Sequence, residues 1–313
     1  MKLALAGDTM LGRGVAERLE TVGPAALFSP ALVEIVRDAD LFVANLECCI
    51  SARGRPDAAA VFHFRAPPWA TQVLAHLGVD CVTLANNHAL DFGPHALLDT
   101  LAHLDAAGIR AVGAGTDVER ARAPVVLEAG GFRLAVVAVT DHPRRYAAAP
   151  DRAGVAYAEL ERGLPEWLRT TIARTGADAT LVTPHWGPNM TAEPVPHVRA
   201  AASWFREAGA TLVAGHSAHV FHGVAPHVLY DLGDFLDDYR VEPSLRNDLG
   251  LLFVVELDGD RFEAIPLKLE YAHTRIADGD DRAWIERRFR DSCAALGTDV
   301  VVDADGRLVG AWR

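Results

Sequence analysis

The sequence predicts an α/β protein whose mixed sheets are covered by helices, and three observations lead to this fold class. Short apolar runs of strand length alternate with amphipathic stretches of helical period along most of the chain. Two late apolar runs flank Asp258-Gly259-Asp260, and Asp-Gly between such runs is typical of an antiparallel hairpin. Half of the 313 residues are hydrophobic and 23% are charged, which is ordinary for a globular domain with a large core.

Each element of this layered sandwich is predicted from its local pattern. Continuous apolar runs predict buried strands at residues 3–6, 41–44, 81–85, 134–140, 179–183, 211–214 and 251–257. Amphipathic periodicity predicts helices at residues 31–38, 69–77, 95–106, 160–175 and 196–208. The Ala-, Pro- and Arg-rich residues 144–152 predict a loop. We expect one domain over residues 1–280, to which residues 281–313 add a helix and a hairpin.

Charge and cysteine content narrow the class of function. The net charge of −12 argues against a nucleic-acid partner, because phosphate contacts need clustered basic residues. Cys48 and Cys49 are adjacent and no Cys-x-x-Cys occurs, so we expect reduced thiols in a cytoplasmic protein. The first residues contain no apolar signal core, and no apolar run of about 18 residues exists, so no membrane anchor is expected. No feature of the sequence indicates the oligomeric state.

Polar residues follow five of the predicted strands at the point where each strand ends. They are Asp8 after the first strand, Asn45 and Glu47 after the second, Asn86-Asn87-His88 after the third, His185 after the fifth, and His216 and His219 after the sixth. In open α/β sheets, ligands bind beyond the carboxyl ends of the strands. We therefore expect these side chains to converge on one crevice.

The residue types at these strand ends predict a metal site. The predicted ligands combine carboxylates, amides and imidazoles, and they are Asp8, Asn45, Glu47, Asn87, His185, His216 and His219. Such a mixed oxygen and nitrogen set suits Mn²⁺, Fe²⁺ or Zn²⁺. Taken singly, Asp8 could cap a helix, Glu47 could be a solvated loop acid and His185 could be a hydrogen-bonded buried histidine. Seven ligands exceed the four that one ion usually takes, which predicts two divalent ions sharing a carboxylate.

Several motifs together resemble the CapA family of bacterial capsule and poly-γ-glutamate synthesis proteins. They are GDTMLGR at 7–13, NLE at 45–47, FRAPP at 64–68, ANNHALDFG at 85–93, HWG at 185–187, GHSAHVFHG at 215–223 and YDLGDF at 230–235. That family in turn is similar to the calcineurin-like metallophosphoesterases. The resemblance runs from residue 3 to about residue 255, and it implies a four-layer αββα sandwich with a dinuclear metal centre.

The resemblance also implies a role for each matching residue. Asp8 and His219 correspond to ligands of a first metal site, and His185 and His216 to ligands of a second. Glu47 stands at the position of the bridging carboxylate and Asn87 at the amide ligand, whereas Asn45 either binds metal or orients Glu47. His88 corresponds to the histidine that binds no metal and either protonates the leaving group or stabilises the transition state.

Four further residues are assigned around that histidine and the substrate. Asp91 either orients His88 or caps the following helix before Gly93-Pro94. Arg13 and Arg65 are candidates to bind an anionic substrate group. His222 is a further candidate for substrate binding, and it stands where an amide is common in the related sequences.

The sequence also departs from the family pattern. The Asp-x-His opening of the superfamily is here Asp8-Thr9-Met10, so one histidine ligand is missing. The LGNF of related sequences is LGDF here, with Asp234 in place of asparagine. After HWG the chain continues with Pro188-Asn189-Met190 instead of an acidic and aromatic pair. These differences predict a substrate pocket that has diverged from that of the related sequences.

These residues predict a cytoplasmic metal-dependent hydrolase. A metal-bound hydroxide would attack a phosphoester or a glutamyl or peptide-like amide in a small-molecule or peptide-like anionic substrate. One alternative is a non-catalytic component of capsule or poly-γ-glutamate synthesis, with a structural metal site. Another is metal-dependent tailoring of a small molecule by ligation or redox chemistry.

Overall fold

The computed structural model describes residues 1–312, which fold into two large β-sheets packed face to face between two layers of helices, together with two small two-stranded sheets. Apolar side chains between the two sheets come from both, for example Leu3 and Val43 from one and Leu134 and Leu181 from the other. The opposite faces of the sheets each pack against helices and form two further cores. The four-layer αββα sandwich predicted from the sequence is therefore confirmed.

Twenty strands and eight α-helices make up this part of the chain. The strands are β1 Lys2–Thr9, β2 Leu41–Leu46, β3 Cys49–Ile50, β4 Arg65–Ala66, β5 Cys81–Thr83, β6 Arg110–Val112, β7 Ala114–Gly115, β8 Val125–Ala129, β9 Phe132–Thr140, β10 Gly154–Val155, β11 Ala179–His185, β12 Leu212–Ala214, β13 Val224–Ala225, β14 Val228–Leu229, β15 Asp234–Leu236, β16 Leu249–Glu256, β17 Arg261–Glu270, β18 His273–Ile276, β19 Val300–Val302 and β20 Leu308–Ala311. The α-helices are α1 Arg13–Val22, α2 Pro30–Arg37, α3 Thr71–Leu77, α4 Pro94–Ala106, α5 Val118–Arg122, α6 Glu166–Ala173, α7 Pro196–Glu207 and α8 Gly279–Ala294. Short 3₁₀ helices lie at Pro24–Leu27, Pro68–Ala70 and Arg144–Tyr146.

The first sheet has the strand order β19-β20-β17-β16-β1-β2-β5-β6, with β15 paired to β1 and β18 paired to β17. Strands β1, β2, β5 and β6 are parallel, whereas β16 and β17 form the antiparallel hairpin predicted at Asp258-Gly259-Asp260. The second sheet has the order β13-β14-β12-β11-β9-β8, with β9, β11 and β12 parallel. The carboxyl ends of the central parallel strands in both sheets carry the predicted polar residues.

The alternation of side chains along β1 explains the layering. Leu3 and Leu5 face the other sheet, while Ala4 and Ala6 face the helical layer that contains α2 and α4. Because successive side chains of a strand point to opposite faces, a strand of the central sheet layer must be apolar on both faces. This requirement produces the continuous apolar runs that the sequence shows.

Some element boundaries differ from the prediction. Helix α6 begins only at Glu166, because Pro165 stands at its N-cap in an extended conformation and interrupts the predicted stretch 160–175. The C-terminal region forms α8 and the β19–β20 hairpin, which extends the first sheet through β17; Arg313 lies outside the described residues.

All four cysteines are unpaired and buried. Within residues 1–312, every helix is too short or too polar to cross a membrane.

Candidate metal centre

The candidate site lies where the carboxyl ends of β1, β2 and β5 in one sheet meet those of β11 and β12 in the other. A close approach of two backbone segments brings β15 to this edge: Asp8 N–H donates to Gly233 O at 3.0 Å. A Cβ at Gly7 would lie only 1.9 Å from the same carbonyl oxygen, so glycine is required there. The parallel pairing of β1 with β15 then sets Asp8 beside Asp234.

One group of potential ligands is rich in carboxylates. Asp8, Glu47, His219 and Asp234 are all buried, and each offers a ligand atom within 4.8 Å of the others. His219 Nδ1 lies 2.8 Å from Asp234 Oδ1, 3.2 Å from Asp8 Oδ2 and 3.9 Å from Glu47 Oε2. Three carboxylates therefore surround one imidazole nitrogen.

A second group is rich in imidazoles and shares Asp8 with the first. It consists of Asp8, His185 and His216, again with ligand atoms within 4.8 Å of one another. His216 Nδ1 lies 3.8 Å from Asp8 Oδ1 and 2.9 Å from His185 Nδ1. His185 Nε2 lies 4.0 Å from Glu47 Oε1, so Glu47 stands beside both groups.

The polar atoms at this site lack the partners that buried polar atoms normally have. Five buried side-chain atoms without a hydrogen-bond partner belong to it: Asp8 Oδ2, Glu47 Oε1, Asn87 Oδ1, His185 Nε2 and Asp234 Oδ2. Leaving buried charges and acceptors unsatisfied is costly, and native proteins rarely do so. Four oxygens and an imidazole nitrogen are donors suited to divalent cations. The residues therefore fit a metal centre.

Burial and neighbouring charges shift the pKa values of the side chains at this site. Burial and the neighbouring Asp8 raise the pKa of Glu47 well above its usual value, and burial does the same for Asp234. Although burial opposes it, the carboxylates of Asp234 and Glu47 raise the pKa of His219. Burial lowers the pKa of His185 and brings that of His216 to about 4. Neutral imidazoles of this kind are ready to bind metal without first losing a proton.

His88 and Asp91 form a hydrogen-bonded pair at the edge of the carboxylate-rich group. His88 Nδ1 lies 2.7 Å from Asp91 Oδ2, and His88 Nε2 lies 3.9 Å from Glu47 Oε1. Asp91 also accepts the N–H of Phe64, whose ring lies against the His88 imidazole at 4.1 Å. The alternative role of Asp91 as a helix cap does not occur, because Gly93 is the N-cap of α4.

The three predicted amides have different surroundings. Asn45 donates to Asp8 Oδ1 at 2.6 Å, and its own oxygen accepts from Thr83 and Asn86, so it orients Asp8 rather than Glu47. Asn86 also donates to Leu46 O and thereby fixes the turn after β5. Only Asn87 has an unpartnered buried oxygen. The metal-ligand role predicted for Asn87 is compatible with this geometry, whereas the amide oxygen of Asn45 is already engaged.

The three predicted substrate-binding residues are also placed differently. Arg13 is held by Asp238, with its Nη2 2.5 Å from Asp238 Oδ1. The Arg65 guanidinium lies over the Phe92 ring at 4.2 Å, and no carboxylate of residues 1–312 lies within ion-pair distance of it. His222 is only 4% exposed and contacts Thr191 O at 2.8 Å, which gives its predicted substrate role no support.

Some residues at the site were not predicted from the sequence. Tyr239 is a partly buried residue whose phenol hydroxyl donates to Glu47 Oε2 at 3.3 Å. Asp141 and His142 follow β9 and form a hydrogen-bonded pair, and the His142 ring lies 5.3 Å from that of His185. Both line a cavity of about 580 Å³. The rule used for the other strand ends could have identified this pair, since it directly follows the predicted strand 134–140.

Comparison with known proteins agrees with the motifs. A match to the family described as "Bacterial capsule synthesis protein PGA_cap" covers residues 2–239. The chain is 28% identical, over an alignment of 359 positions including gaps, to the "Probable polyglutamine synthesis accessory protein" of Mycobacterium tuberculosis, with 97% of this chain and 94% of that protein covered. It is 26% identical over 279 aligned residues to the PGA biosynthesis protein CapA of Bacillus subtilis, with 87% and 72% covered.

Solved structures show a more distant similarity. A 5'-nucleotidase from Candida albicans has a TM-score of 0.49 at 10% identity, with 96% of this chain and 59% of that chain covered. A hypothetical protein from Thermus thermophilus has a TM-score of 0.46 at 19% identity, with 88% and 96% covered. The family match covers well over half of the chain and contains every predicted metal ligand, so the chain belongs to the bacterial capsule synthesis protein family PGA_cap.

Proposed function

We propose that this protein is a metal-dependent hydrolase of phosphoesters. The observation that carries the proposal is the set of five unpartnered, buried ligand atoms next to an imidazole–carboxylate pair. A structural metal site needs the ligands but not the pair. A hydrolase needs both, because the leaving group must receive a proton.

Two divalent ions would be held at this centre, and Mn²⁺, Fe²⁺ or Zn²⁺ suit its donors. Asp8, Glu47 and His219 would hold one ion, and Asp8, His185 and His216 the other, with Asn87 as an amide ligand. When bound, such a pair of ions lowers the pKa of water and neutralises charge that develops on the substrate.

The protein's own groups would supply the proton and bind the substrate. Asp91 holds His88 by its Nδ1, so the Nε2 side of the imidazole faces the metal ligands and can donate a proton to a leaving group. Arg65 presents a guanidinium without a carboxylate partner, which suits an anionic group of the substrate.

A second candidate reaction is hydrolysis of a glutamyl or peptide-like amide. The names of two relatives favour it, since one is a polyglutamine synthesis accessory protein and the other a PGA biosynthesis protein. The same names also favour a non-catalytic role in polymer synthesis. Turnover separates these possibilities, because a scaffold binds metal without consuming substrate.

The test combines metal analysis with turnover assays on protein purified without chelators. After loading with Mn²⁺ or Zn²⁺, the wild type should hydrolyse aryl phosphoesters in the absence of ATP and oxygen, and a parallel panel of glutamyl anilides tests the amide alternative. His88→Gln should lower kcat by about 10²-fold or more while the metal content stays unchanged. His95→Gln, at an exposed position of α4, is the matched control and should behave like the wild type.

Two outcomes would contradict the proposal. Metal-loaded protein that turns over neither panel would indicate a scaffold. Protein that takes up no Mn²⁺, Zn²⁺ or Fe²⁺ would show that the buried ligands do not form a metal centre.

A further inference from the structure

The two ligand groups of the centre differ in their chemistry. The first contains three carboxylates and one imidazole, from Asp8, Glu47, Asp234 and His219. The second contains one carboxylate and two imidazoles, from Asp8, His185 and His216. Carboxylate oxygens suit hard cations such as Mn²⁺ or Mg²⁺, whereas imidazole nitrogens suit borderline cations such as Zn²⁺.

Asp234 is the residue that creates this difference. Its carboxylate is 1% exposed, and its position follows from the parallel pairing of β15 with β1, which sets it beside Asp8. Oδ1 contacts His219 Nδ1 at 2.8 Å, whereas the buried Oδ2 has no hydrogen-bond partner. An unpartnered oxygen of a buried carboxylate, next to two further carboxylates, is able to bind a metal ion.

The residue two positions after Asp8 does not supply a ligand. That residue is Met10. Met10 is fully buried in the core beneath the helical layer, and its sulfur accepts the N–H of Gly12 at 3.0 Å. The carboxylate-rich group therefore has one nitrogen donor, His219, beside three carboxylates.

We propose that Asp234 is a metal ligand and that it makes the centre heterodinuclear, with a hard cation such as Mn²⁺ in the carboxylate-rich group and Zn²⁺ in the imidazole-rich group. The inference rests on the metal centre of the proposed function, but not on its hydrolytic activity. Both ions would share Asp8. The centre would then select two metals by ligand type instead of binding two equal ions.

A competing explanation is that Asp234 only orients His219. Carboxylates often accept the second N–H of a metal-binding histidine and fix its ring. An orienting role needs one acceptor oxygen, which asparagine also provides. A ligand role needs the charge of the carboxylate. Asp234→Asn therefore separates the two roles, because it keeps the acceptor and removes the charge.

The experiment follows displacement of one metal by another. Metal-free protein is loaded with Mn²⁺, and Zn²⁺ is titrated in while the electron paramagnetic resonance signal of released Mn²⁺ is recorded. In the wild type, the first equivalent of Zn²⁺ should release one Mn²⁺, and release of the second should need at least about a tenfold excess of Zn²⁺. Asp234→Asn should lose this second phase, so that both ions leave together or only one Mn²⁺ binds at the outset.

Asp80→Asn is the matched control. Asp80 directly precedes β5, at the end of that strand away from the centre, and its carboxylate accepts the N–H of Phe42 at 2.8 Å. Asparagine can accept the same bond and Asp80 belongs to neither ligand group, so this variant should keep the two-phase release. Release of both Mn²⁺ ions together from the wild type would overturn the proposal, as would two-phase release from Asp234→Asn or failure to bind Mn²⁺. Because the readout is released metal, an inactive protein with two-phase release would contradict the proposed hydrolase and leave this inference standing.

Discussion

At the scale of single residues, Arg13 and Arg65 show how similar side chains near one site differ in their freedom to bind substrate. The Nε and Nη2 atoms of Arg13 donate to both carboxylate oxygens of Asp238, and the guanidinium lies over the Phe64 ring. Arg65 stacks on Phe92 and makes only one long hydrogen bond, to a backbone carbonyl. Arg13 is therefore held in an ion pair within the protein, whereas the guanidinium of Arg65 can bind an anion.

This contrast predicts different effects of the same substitution at the two arginines. Arg65→Gln should raise KM for an anionic substrate by about tenfold or more with little change in kcat, because a charged hydrogen bond to the substrate contributes about 1.5–3 kcal/mol. Arg13→Gln should lower the melting temperature and leave KM almost unchanged. Steady-state kinetics and thermal unfolding of both variants check this, and an increase of KM in Arg13→Gln alone would reverse the assignment.

At the scale of the elements, the centre depends on how closely β1 approaches the segment before β15. Gly7 has room for no side chain, since a Cβ would lie 1.9 Å from the carbonyl oxygen of Gly233. The neighbouring Asp8 N–H donates to that same oxygen. Ser217 and His219 also adopt positive φ angles of 125° and 58°, and such strained residues cluster at functional sites.

We expect Gly7→Ala to move β15 away from β1 and to weaken metal binding. The forced separation should cost about 1–3 kcal/mol of stability or more, as overpacking of a core does. It should also reduce the bound metal, because Asp234 would no longer face Asp8. Gly259→Ala is the control, since a Cβ there meets only Glu256, and the nearest atom, at 3.0 Å, is the flexible Oε2 of that side chain. Chemical unfolding and metal analysis give both readouts, and equal metal content in the two variants would contradict the expectation.

Sequence patterns predicted the elements better than their lateral contacts. The strands at residues 41–44 and 134–140 and the helix at residues 95–106 were identified because periodicity and apolar runs are local signals. The pairing of β15 with β1 joins segments far apart in the chain, and β15 has only three residues. No local pattern reports such a contact. Asp234 was therefore noted as a departure from related sequences and not as a potential ligand.

At the scale of the whole molecule, local sequence patterns again predict which residues form the site better than they predict its arrangement. Strand-end residues could be grouped because parallel strands of one sheet end at one edge. How the residues divide into two ligand groups depends on the packing of one sheet on the other, which brings His185 and His216 to Asp8. The orientation of each side chain then decides which of its atoms is free to bind metal. Asn45 and Asn87 are the same residue type, yet only Asn87 has a free oxygen.

The stability of the whole molecule should depend on pH through the buried Asp237. Burial raises the pKa of Asp237 to about 6, from an ordinary value of 3.8, and the hydrogen bond from Tyr239 N–H only partly offsets this. The folded state thus holds the proton more tightly than the unfolded state. Its contribution to stability is present below about pH 4 and is lost as the pH rises through about 6. A difference of about two pKa units corresponds to about 3 kcal/mol.

Asp237→Asn should remove this dependence. The free energy of unfolding of the variant, minus that of the wild type, should rise by about 2.5 kcal/mol between pH 4 and pH 7. Urea unfolding of metal-free protein at several pH values measures both terms. The subtraction cancels groups common to both proteins, such as His216, whose lowered pKa acts in the opposite direction because its folded state holds the proton less tightly. Parallel curves for the two proteins would show that Asp237 titrates normally in the folded state.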